Sequence, residues 1–353
     1  MTMKRLINLK RTEARRIFIT YSAVVIAYVI FQVMSSMGFL SSSMRGMLVP
    51  ICAYMVMAVS LNLVVGISGE LSLGHAGFMS IGAFSGVATA ILMQATITNA
   101  PVRLALAMIV GAIFAAIAGF LIGIPVLRLK GDYLAIVTLA FGEIIKSILN
   151  NFYFGVDSQG LHFSMLTDTT RLLKGGRLII RGPMGISGIM KIATFPMGFI
   201  LVMISLMVVF NLVNSRSGRA FMAIRDDRIA AESIGLDITK YKMMAFVTSA
   251  ALAGAAGALF AMNYSTIVAN KFDFNTSILI LVFVVLGGQG NMLGSIIAAA
   301  ALTVLPEKLR GFSDYRMLLY AIILIVTMLG TNNAEIREFF TKLNPFRRKE
   351  EVE

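Results

Sequence analysis

Apolar runs about as long as a membrane span recur along this chain from Ile17 to Leu329. A helix needs about 20 mostly apolar residues to cross the hydrocarbon core of a bilayer. The composition agrees, because 58% of the residues are hydrophobic and only 14% are charged. Within a bilayer the backbone must satisfy its own hydrogen bonds, so we predict an all-α polytopic membrane protein with no sizeable soluble domain.

The apolar runs predict about ten transmembrane helices, some of them short or broken by glycine. Their expected ranges are 17–39, 47–65, 76–93, 102–124, 132–150, 194–213, 242–264, 275–286, 292–305 and 317–330. The first run is too long for a signal-peptide core and no small-residue cleavage pattern follows it, so we expect a retained anchor. The single cysteine, Cys52, lies within the second run, where we expect it to fill the core.

Basic residues predict the orientation, because cytoplasmic loops of membrane proteins are enriched in Lys and Arg. With both termini in the cytoplasm, 19 of the 31 basic residues fall on the inner side. The net charge of +13 then reflects orientation and not binding to nucleic acid. We therefore expect a basic cytoplasmic segment at 1–16, a transmembrane permease domain at 17–330 and a charged cytoplasmic tail at 331–353.

This topology places the segment 151–193 outside the membrane, although it carries five basic residues. The opposite orientation would export three denser basic clusters, so we keep the assignment. Long loops in compact proteins are usually functional or disordered. The segment is expected to be either a solvated loop over the bundle or a docking surface for an extracytoplasmic partner.

One long polar insertion, 214–241, lies on the predicted inner side. Apolar residues recur in it at helical spacing, with charges between them: Phe221, Ile224, Ile229, Ala230 and Ile234. The pattern predicts one or two short amphipathic helices that end at Gly235, since glycine commonly terminates a helix. These helices would either insert their apolar side chains into a cleft on a partner protein or lie among lipid head groups.

Two glycine-rich breaks interrupt the apolar pattern. The stretches "VVGISGELSLG" (64–74) and "VVLGGQGNMLG" (284–294) share two valines, a polar break and a leucine-glycine pair, which suggests an internal repeat. Transporter folds often place broken helices of related repeats at the transport path. The residues expected along the path or at the helix breaks are Asn62, Gly66, Ser68, Gly69, Glu70, Ser72, Gly74, Glu143, Gly287, Gly288, Gln289 and Gly290.

Other polar residues in the spans have a structural and a functional interpretation. Glu143 and Lys146 share one face of the fifth span and are expected to form an ion pair, either structural or lining the exit of a path. Asn62 is expected to bond to a neighbouring helix or to face the path. His75 is a candidate ligand, pH sensor or hydrogen-bonded residue at the start of a helix. A metal site is not expected there, because no second His or Cys lies nearby in the sequence.

Several spans also carry glycine pairs spaced for close helix packing. These are Gly82 with Gly86, Gly119 with Gly123, and Gly254 with Gly257.

Four ordered motifs carry a family resemblance. They are "SLNLVVGISGELSLGHAGFMSIGAF" (60–84), "LKGDYLAIVTLAFGEIIKSILNN" (129–151), "GRAFMAIRDD" followed by "AAESIGLD", and "VFVVLGGQGNMLGSIIAA" (282–299). Together they resemble the permease family of ATP-driven branched-chain amino acid importers, from about Ala53 to Leu305. The stretch "GVDSQGL" (155–161) departs from the glycine-pair turn that is usual there.

The resemblance implies a permease subunit of an ATP-binding cassette importer in the plasma membrane of a prokaryote, with no enzymatic activity of its own. Its cargo would be leucine, isoleucine, valine or a related small amino acid or amide. Its expected partners are two ATP-binding subunits, a second permease, an extracytoplasmic solute-binding protein and membrane lipid. The residues that match the coupling role are Arg225, Asp226, Asp227, Ala230, Ala231, Glu232 and Gly235.

No cofactor is expected on this chain, because its sequence lacks a phosphate loop of the form GxxxxGK[ST] and ATP with Mg would bind to partner subunits. One alternative is a same-family permease for urea or amides. Another is an ion-coupled secondary transporter, which would need an intramembrane carboxylate relay. A membrane scaffold would explain the basic ends but not the glycine breaks.

Overall fold

The computed structural model describes residues 3–129, 132–157, 160–165 and 176–309, together with 318, 321, 322 and 325. The chain divides into two compact units, Met1–Ala299 and Ala300–Glu353. The first unit contains both glycine-rich breaks and the polar insertion. Most of the predicted tenth span, 317–330, and the whole tail at 331–353 lie outside the described residues.

Eleven α-helices and five short strands make up the described part of the chain. The helices are α1 (Met3–Ser36), α2 (Ser42–Asn62), α3 (His75–Leu92), α4 (Ala100–Val126), α5 (Asp132–Asn150), α6 (Phe195–Asn214), α7 (Arg216–Asp226), α8 (Arg228–Ser233), α9 (Ile238–Ala261), α10 (Phe274–Gly287) and α11 (Met292–Lys308). The strands are β1 (Phe152–Asp157), β2 (Gly160–Met165), β3 (Arg177–Arg181), β4 (Ile186–Ser187) and β5 (Thr266–Ile267).

Eight helices among the described residues are long and apolar enough to cross a membrane. They coincide with the first eight predicted spans, which confirms the prediction of a helical polytopic membrane protein. The eighth candidate runs from Ala269 to Gly287 and includes a short 3₁₀ turn before α10. The predicted ninth span corresponds to α11, a helix of 17 residues with Pro306 near its end.

The centre of the first unit is formed by α3, α4 and α9, which approach one another through glycine. A Cβ atom on Gly82 would overlap the backbone of Gly254, and one on Gly254 would overlap Gly111 and the Ala115 methyl group. Small residues let helices pack backbone to backbone, where dispersion contacts are closest. The interpretation of these glycines as packing residues is confirmed.

The outer faces of several helices present large apolar side chains. On α4 these side chains follow a four-residue spacing and form one exposed stripe of Ile109, Ile113, Ile117 and Leu121. A soluble protein rarely leaves so large an apolar surface uncovered, whereas lipid tails solvate it.

The segment predicted as an outer loop, 151–193, contains strands that the sequence analysis did not anticipate. Strand β1 lies between β2 and β3, antiparallel to both, and β4 pairs with β5. Within "GVDSQGL", Asp157 of β1 is the pairing partner of Gly160 of β2. Short strands of mixed polarity give a weak periodic signal beside long apolar helices, which is why they were missed.

Candidate translocation and coupling site

The first break begins where α2 loses its regular hydrogen-bond pattern. Helix α2 continues into a π-helical turn, Leu63–Ile67, in which the Ser68 N–H donates to the Leu63 carbonyl oxygen at 3.0 Å. Gly69 then adopts a φ of +75°, a conformation that side chains other than glycine rarely accept. Helix α2 is thus interrupted where the sequence predicts a break, first by the π-turn and then by Gly69. π-turns often mark functional positions in helices.

The second break meets the first through Asn62. Helix α10 ends at Gly287 and α11 starts at Met292. Between them the Gly290 N–H donates to Asn62 Oδ1 at 2.8 Å, and Asn62 Nδ2 donates to Ser295 Oγ at 2.9 Å. Asn62 is fully buried, and its amide bonds to one group within the second break and to one in α11, the helix that follows it.

Glycine is required for this close contact. A Cβ atom on Gly66 would overlap both the Asn62 amide oxygen and the Gly290 nitrogen. Within the second break, Gly287 and Gly294 approach each other so closely that a Cβ on either would overlap the other segment. The two breaks therefore dock as bare backbone, with one amide side chain between them.

A buried ion pair holds the first break at Glu70, the residue after Gly69. Glu70 pairs with Lys242 of α9, and their side chains are only 13% and 7% exposed. Burying two charges is tolerated when each neutralises the other. Glu70 was a predicted residue and Lys242 was not; the available signal was the second of two lysines in the first turns of an apolar helix, on the same predicted side as Glu70.

The polar insertion reaches the first break through Arg225. Its Nη1 donates to the Gly66 carbonyl oxygen at 3.0 Å, while Nε and Nη2 donate to Asp226 Oδ1 at 3.1 and 3.0 Å. A Cβ on Gly69 would lie 2.5 Å from Arg225 Cγ, so the arginine stem passes directly over that glycine.

The insertion folds into two short helices, as predicted. Helix α8 starts at an N-cap formed by Asp227, whose Oδ1 accepts from the Ile229 and Ala230 N–H groups at 2.9 and 3.0 Å. It ends at Gly235, which has a φ of +84°. The Leu236 N–H donates to the Ala231 carbonyl oxygen at 3.1 Å, which gives the left-handed glycine cap typical of helix ends.

The apolar residues of the insertion do not form one stripe. Ile224 and Ala231 are buried against Ile238, and Phe221 is buried against α9. Ile229 and Ile234 point outward and are 81% and 74% exposed. The backbone is extended at Asp227 and interrupts the helical spacing between α7 and α8. Within α8, Ala231 is buried while Ala230 and Glu232 remain exposed, as do Asp226 and Asp227.

Residues 43–328 match the family model described as "Branched-chain amino acid transport system / permease component". The chain belongs to this family. It is 39% identical over 229 residues to the high-affinity branched-chain amino acid transport system permease protein LivM of Salmonella typhimurium, covering 61% of this chain and 53% of that protein. The chain spans about half the length of the curated relatives it matches.

Two further LivM proteins match. The Escherichia coli protein is 39% identical over 235 residues, which cover 62% of this chain and 54% of the relative. The probable LivM of Methanocaldococcus jannaschii is 26% identical over 53% of this chain and 52% of its own. No solved structure matches. Family membership and the apolar helices together identify a multi-pass permease of a prokaryotic plasma membrane.

The remaining predicted path residues of this permease fall into two groups. Ser68 and Ser72 are buried, and Gly74 packs directly against the Thr138 backbone of α5. Gly287, Gly288 and Gln289 lie at the second break, where Gly288 has a φ of +89° and Gln289 is exposed. Glu143 forms the expected ion pair with Lys146 on α5.

His75 is a buried, hydrogen-bonded residue at the start of α3. Its Nε2 lies 2.7 Å from Ser60 Oγ, and the Ser60 hydroxyl itself donates to the Met57 carbonyl oxygen. The imidazole thus has a buried hydrogen-bond partner in Ser60. Within the described part of this permease no three His, Cys, Asp or Glu residues are grouped closely enough to hold a metal ion.

An open cleft of about 680 Å³ adjoins both breaks of the permease. Its walls come from α1, the π-turn, α6, the insertion, the second break and the start of α11. The lining includes Ile67, Met222, Arg225, Gln289, Gly290 and Asn291. Apolar side chains alternate there with amide and guanidinium groups, as in sites that bind small amphipathic molecules.

Proposed function

We propose that this chain is the permease subunit of an ATP-driven importer that moves branched-chain amino acids inward across the plasma membrane. The observation that supports this most is the contact between Arg225 of the insertion and the Gly66 carbonyl of the first break. It connects a polar segment suited to a partner with backbone suited to a transport path.

The path is proposed to run beside the two docked breaks. Non-helical backbone at membrane depth is tolerated where it is buried or lines water. Gly66 and Gly290 supply such backbone, and Asn62 bonds to it at Gly290. The adjoining cleft offers apolar and polar walls. An amino acid with an aliphatic side chain needs both kinds of surface.

Energy is proposed to come from two ATP-binding subunits, since this sequence has no phosphate loop. The exposed Ile229 and Ile234 would enter an apolar cleft on such a subunit. Asp226, Asp227 and Glu232 surround them, so the cleft would be rimmed by Lys or Arg. Gly235 and Ala231 hold α8 in the position that presents these groups.

The other partners follow the same proposal. A second, related permease would complete the path, and an extracytoplasmic solute-binding protein would dock on the strands of 151–193. Residues Leu161, Phe163 and Met165 alternate along β2 and are exposed, which suits a protein contact on that face.

Leucine, isoleucine and valine are the proposed cargo, because the relatives with the highest identities quoted above are named for branched-chain amino acids. Weaker relatives are named for other solutes, such as the fructose import permease FruG of Bifidobacterium longum at 25% identity. Other amino acids, urea and short amides are therefore included as competitors in the test.

The test is uptake of labelled leucine into proteoliposomes that contain the permease with the subunits that co-purify with it. We expect uptake to require ATP in the compartment that the ATP-binding subunits face. We also expect it to require the solute-binding protein. Uptake by the chain alone, driven by a proton or sodium gradient, would contradict the proposal and establish a secondary transporter. Excess unlabelled urea should not compete, whereas valine should.

A further inference from the structure

Arg225 is the one residue of the insertion that donates a side-chain hydrogen bond to the first break among the described residues. Its acceptor, the Gly66 carbonyl, lies in the π-turn, where the regular helical pattern of acceptors is lost. The same carbonyl faces Gly290, because a Cβ on Gly290 would lie 3.7 Å from it. One guanidinium thus acts at the point where the two breaks dock.

A hydrogen bond from a charged donor is stronger than one between neutral groups. Arg225 reaches Gly66 with Nη1 while Asp226 holds Nε and Nη2. The planar guanidinium therefore has its orientation fixed on one edge by a carboxylate and its free donor aimed at the break. A lysine could not make both contacts from one rigid group.

Asp226 lies on the exposed side of this pair, with 68% of its side chain accessible. It is adjacent to Asp227, which caps α8, and so to the surface that carries Ile229. A cation on a docked partner would approach the same carboxylate oxygen that now holds Arg225. Competition for Asp226 would release the arginine and remove the hydrogen bond to Gly66.

We propose that Arg225 is a positioning residue that keeps the first break docked against the second, and that Asp226 is the group through which a docked protein acts on it. The first half concerns this chain alone. The second half rests on the proposed function, because it requires an ATP-binding subunit on α7 and α8.

The first test measures shielding of the break in the full-length chain in membranes. Ser68 lies between Gly66 and Gly69 and is 3% exposed, so Ser68→Cys should react slowly with a maleimide. The natural thiol, Cys52, is buried in α2, and the chain without Ser68→Cys gives its background rate. We expect Arg225→Gln to raise the Ser68→Cys reaction rate about tenfold, in keeping with loss of one charged hydrogen bond.

Matched variants separate this effect from general loosening. Arg219→Gln removes an exposed arginine of the same helix and should leave the rate unchanged. Arg225→Lys should fall between wild type and Arg225→Gln. If Arg225→Gln reacts no faster than Arg219→Gln, the proposal is overturned. If Arg225→Gln does not accumulate, Asp226→Asn decides instead: a faster rate supports the proposal and an unchanged rate overturns it.

The second test uses the complex with its co-purified ATP-binding subunits. Addition of ATP with vanadate should change the Ser68→Cys rate in the wild-type background and not in Arg225→Gln. A response of the same size in both backgrounds would overturn the role of Asp226 and Arg225 in transmission. Failure of any ATP-binding subunit to co-purify would count against the proposed function and leave the first test intact.

Discussion

Asn62 and Gly290 are 228 positions apart in the chain, yet the Gly290 N–H donates at 2.8 Å to Oδ1 of the fully buried Asn62. This single bond joins two helix breaks that share a sequence pattern. It gives the suspected internal repeat a structural consequence, because the two similar stretches meet at one amide side chain.

Replacing Asn62 with alanine is expected to reduce both stability and transport. The change removes the hydrogen bonds to Gly290 and Ser295 and leaves the buried Ser295 hydroxyl without its donor, at a cost of about 1–3 kcal/mol in the free energy of unfolding. The measurements are thermal unfolding in detergent and leucine uptake in proteoliposomes. Asn263→Ala is the control, since Asn263 donates to the Gly46 carbonyl at an exposed position. Equal effects of both changes would show that Asn62 has no special role.

Gly66→Ala is expected to separate the two breaks. The site has no space for the added methyl group, which would overlap both Asn62 and Gly290. Overpacking of a buried site costs about 1–3 kcal/mol, so the variant should unfold at a lower temperature and lose uptake. Gly46→Ala is the matched control, because a Cβ there meets no atom within 4 Å. Normal uptake by Gly66→Ala would contradict the docked arrangement.

The Glu70–Lys242 pair should show strong non-additivity. Glu70→Gln or Lys242→Met alone leaves one buried charge without its partner, which typically costs about 3–5 kcal/mol in stability. The double variant should recover much of that loss, because no charge remains. The same cycle on Glu143 and Lys146, whose side chains are 40% and 23% exposed, should give a coupling of about 1 kcal/mol or less. A fully additive Glu70–Lys242 cycle would mean that the pair contributes nothing.

Gly235→Ala is expected to disturb the end of α8 through backbone conformation. The site has free space around a Cβ, but the φ of +84° costs an alanine about 1–2 kcal/mol. We expect weaker co-purification of the ATP-binding subunits and lower uptake per ATP hydrolysed. Gly235→Asn should be milder, since asparagine tolerates the left-handed region better than alanine. If Gly235→Asn and Gly235→Ala behaved alike, the effect would not come from φ.

Ile229→Ser is expected to weaken partner binding without weakening the chain. Ile229 is 81% exposed, so its loss should leave the unfolding temperature within the range of ordinary surface changes. A buried apolar anchor at an interface commonly contributes more than 2 kcal/mol, so co-purification should fall steeply. Ile136→Ser on the exposed face of α5 serves as the control. Undiminished co-purification would place the contact elsewhere on the insertion.

Much of the architecture is predictable from local sequence. Apolar runs located the first eight spans, and glycine clusters located both helix breaks. Helical spacing in 214–241 predicted the short helices, and Gly235 marked their end. These features depend on neighbouring residues, because helix formation and helix termination are decided within a few positions along the chain.

Sequence patterns were less informative where a residue's role depends on the direction in which its side chain points. Ile224 and Ile229 both fit the predicted apolar face, but one is buried and the other exposed, because the extended backbone at Asp227 interrupts the helical spacing between α7 and α8. Arg225 was assigned to partner contact from its motif, whereas its guanidinium also points inward to Gly66. The strands of 151–193 were missed because their pairing joins residues from separate short stretches.

The sequence by itself determined that this is a helical membrane protein with two similar glycine breaks and an amphipathic insertion, since hydrophobicity and glycine act through local backbone energetics. Only the tertiary structure decided that the breaks meet at Asn62, that Lys242 neutralises Glu70, and that Arg225 bridges the insertion to Gly66. Those contacts join residues that are far apart in the chain. Their formation depends on how buried polar groups find partners once the helices have packed.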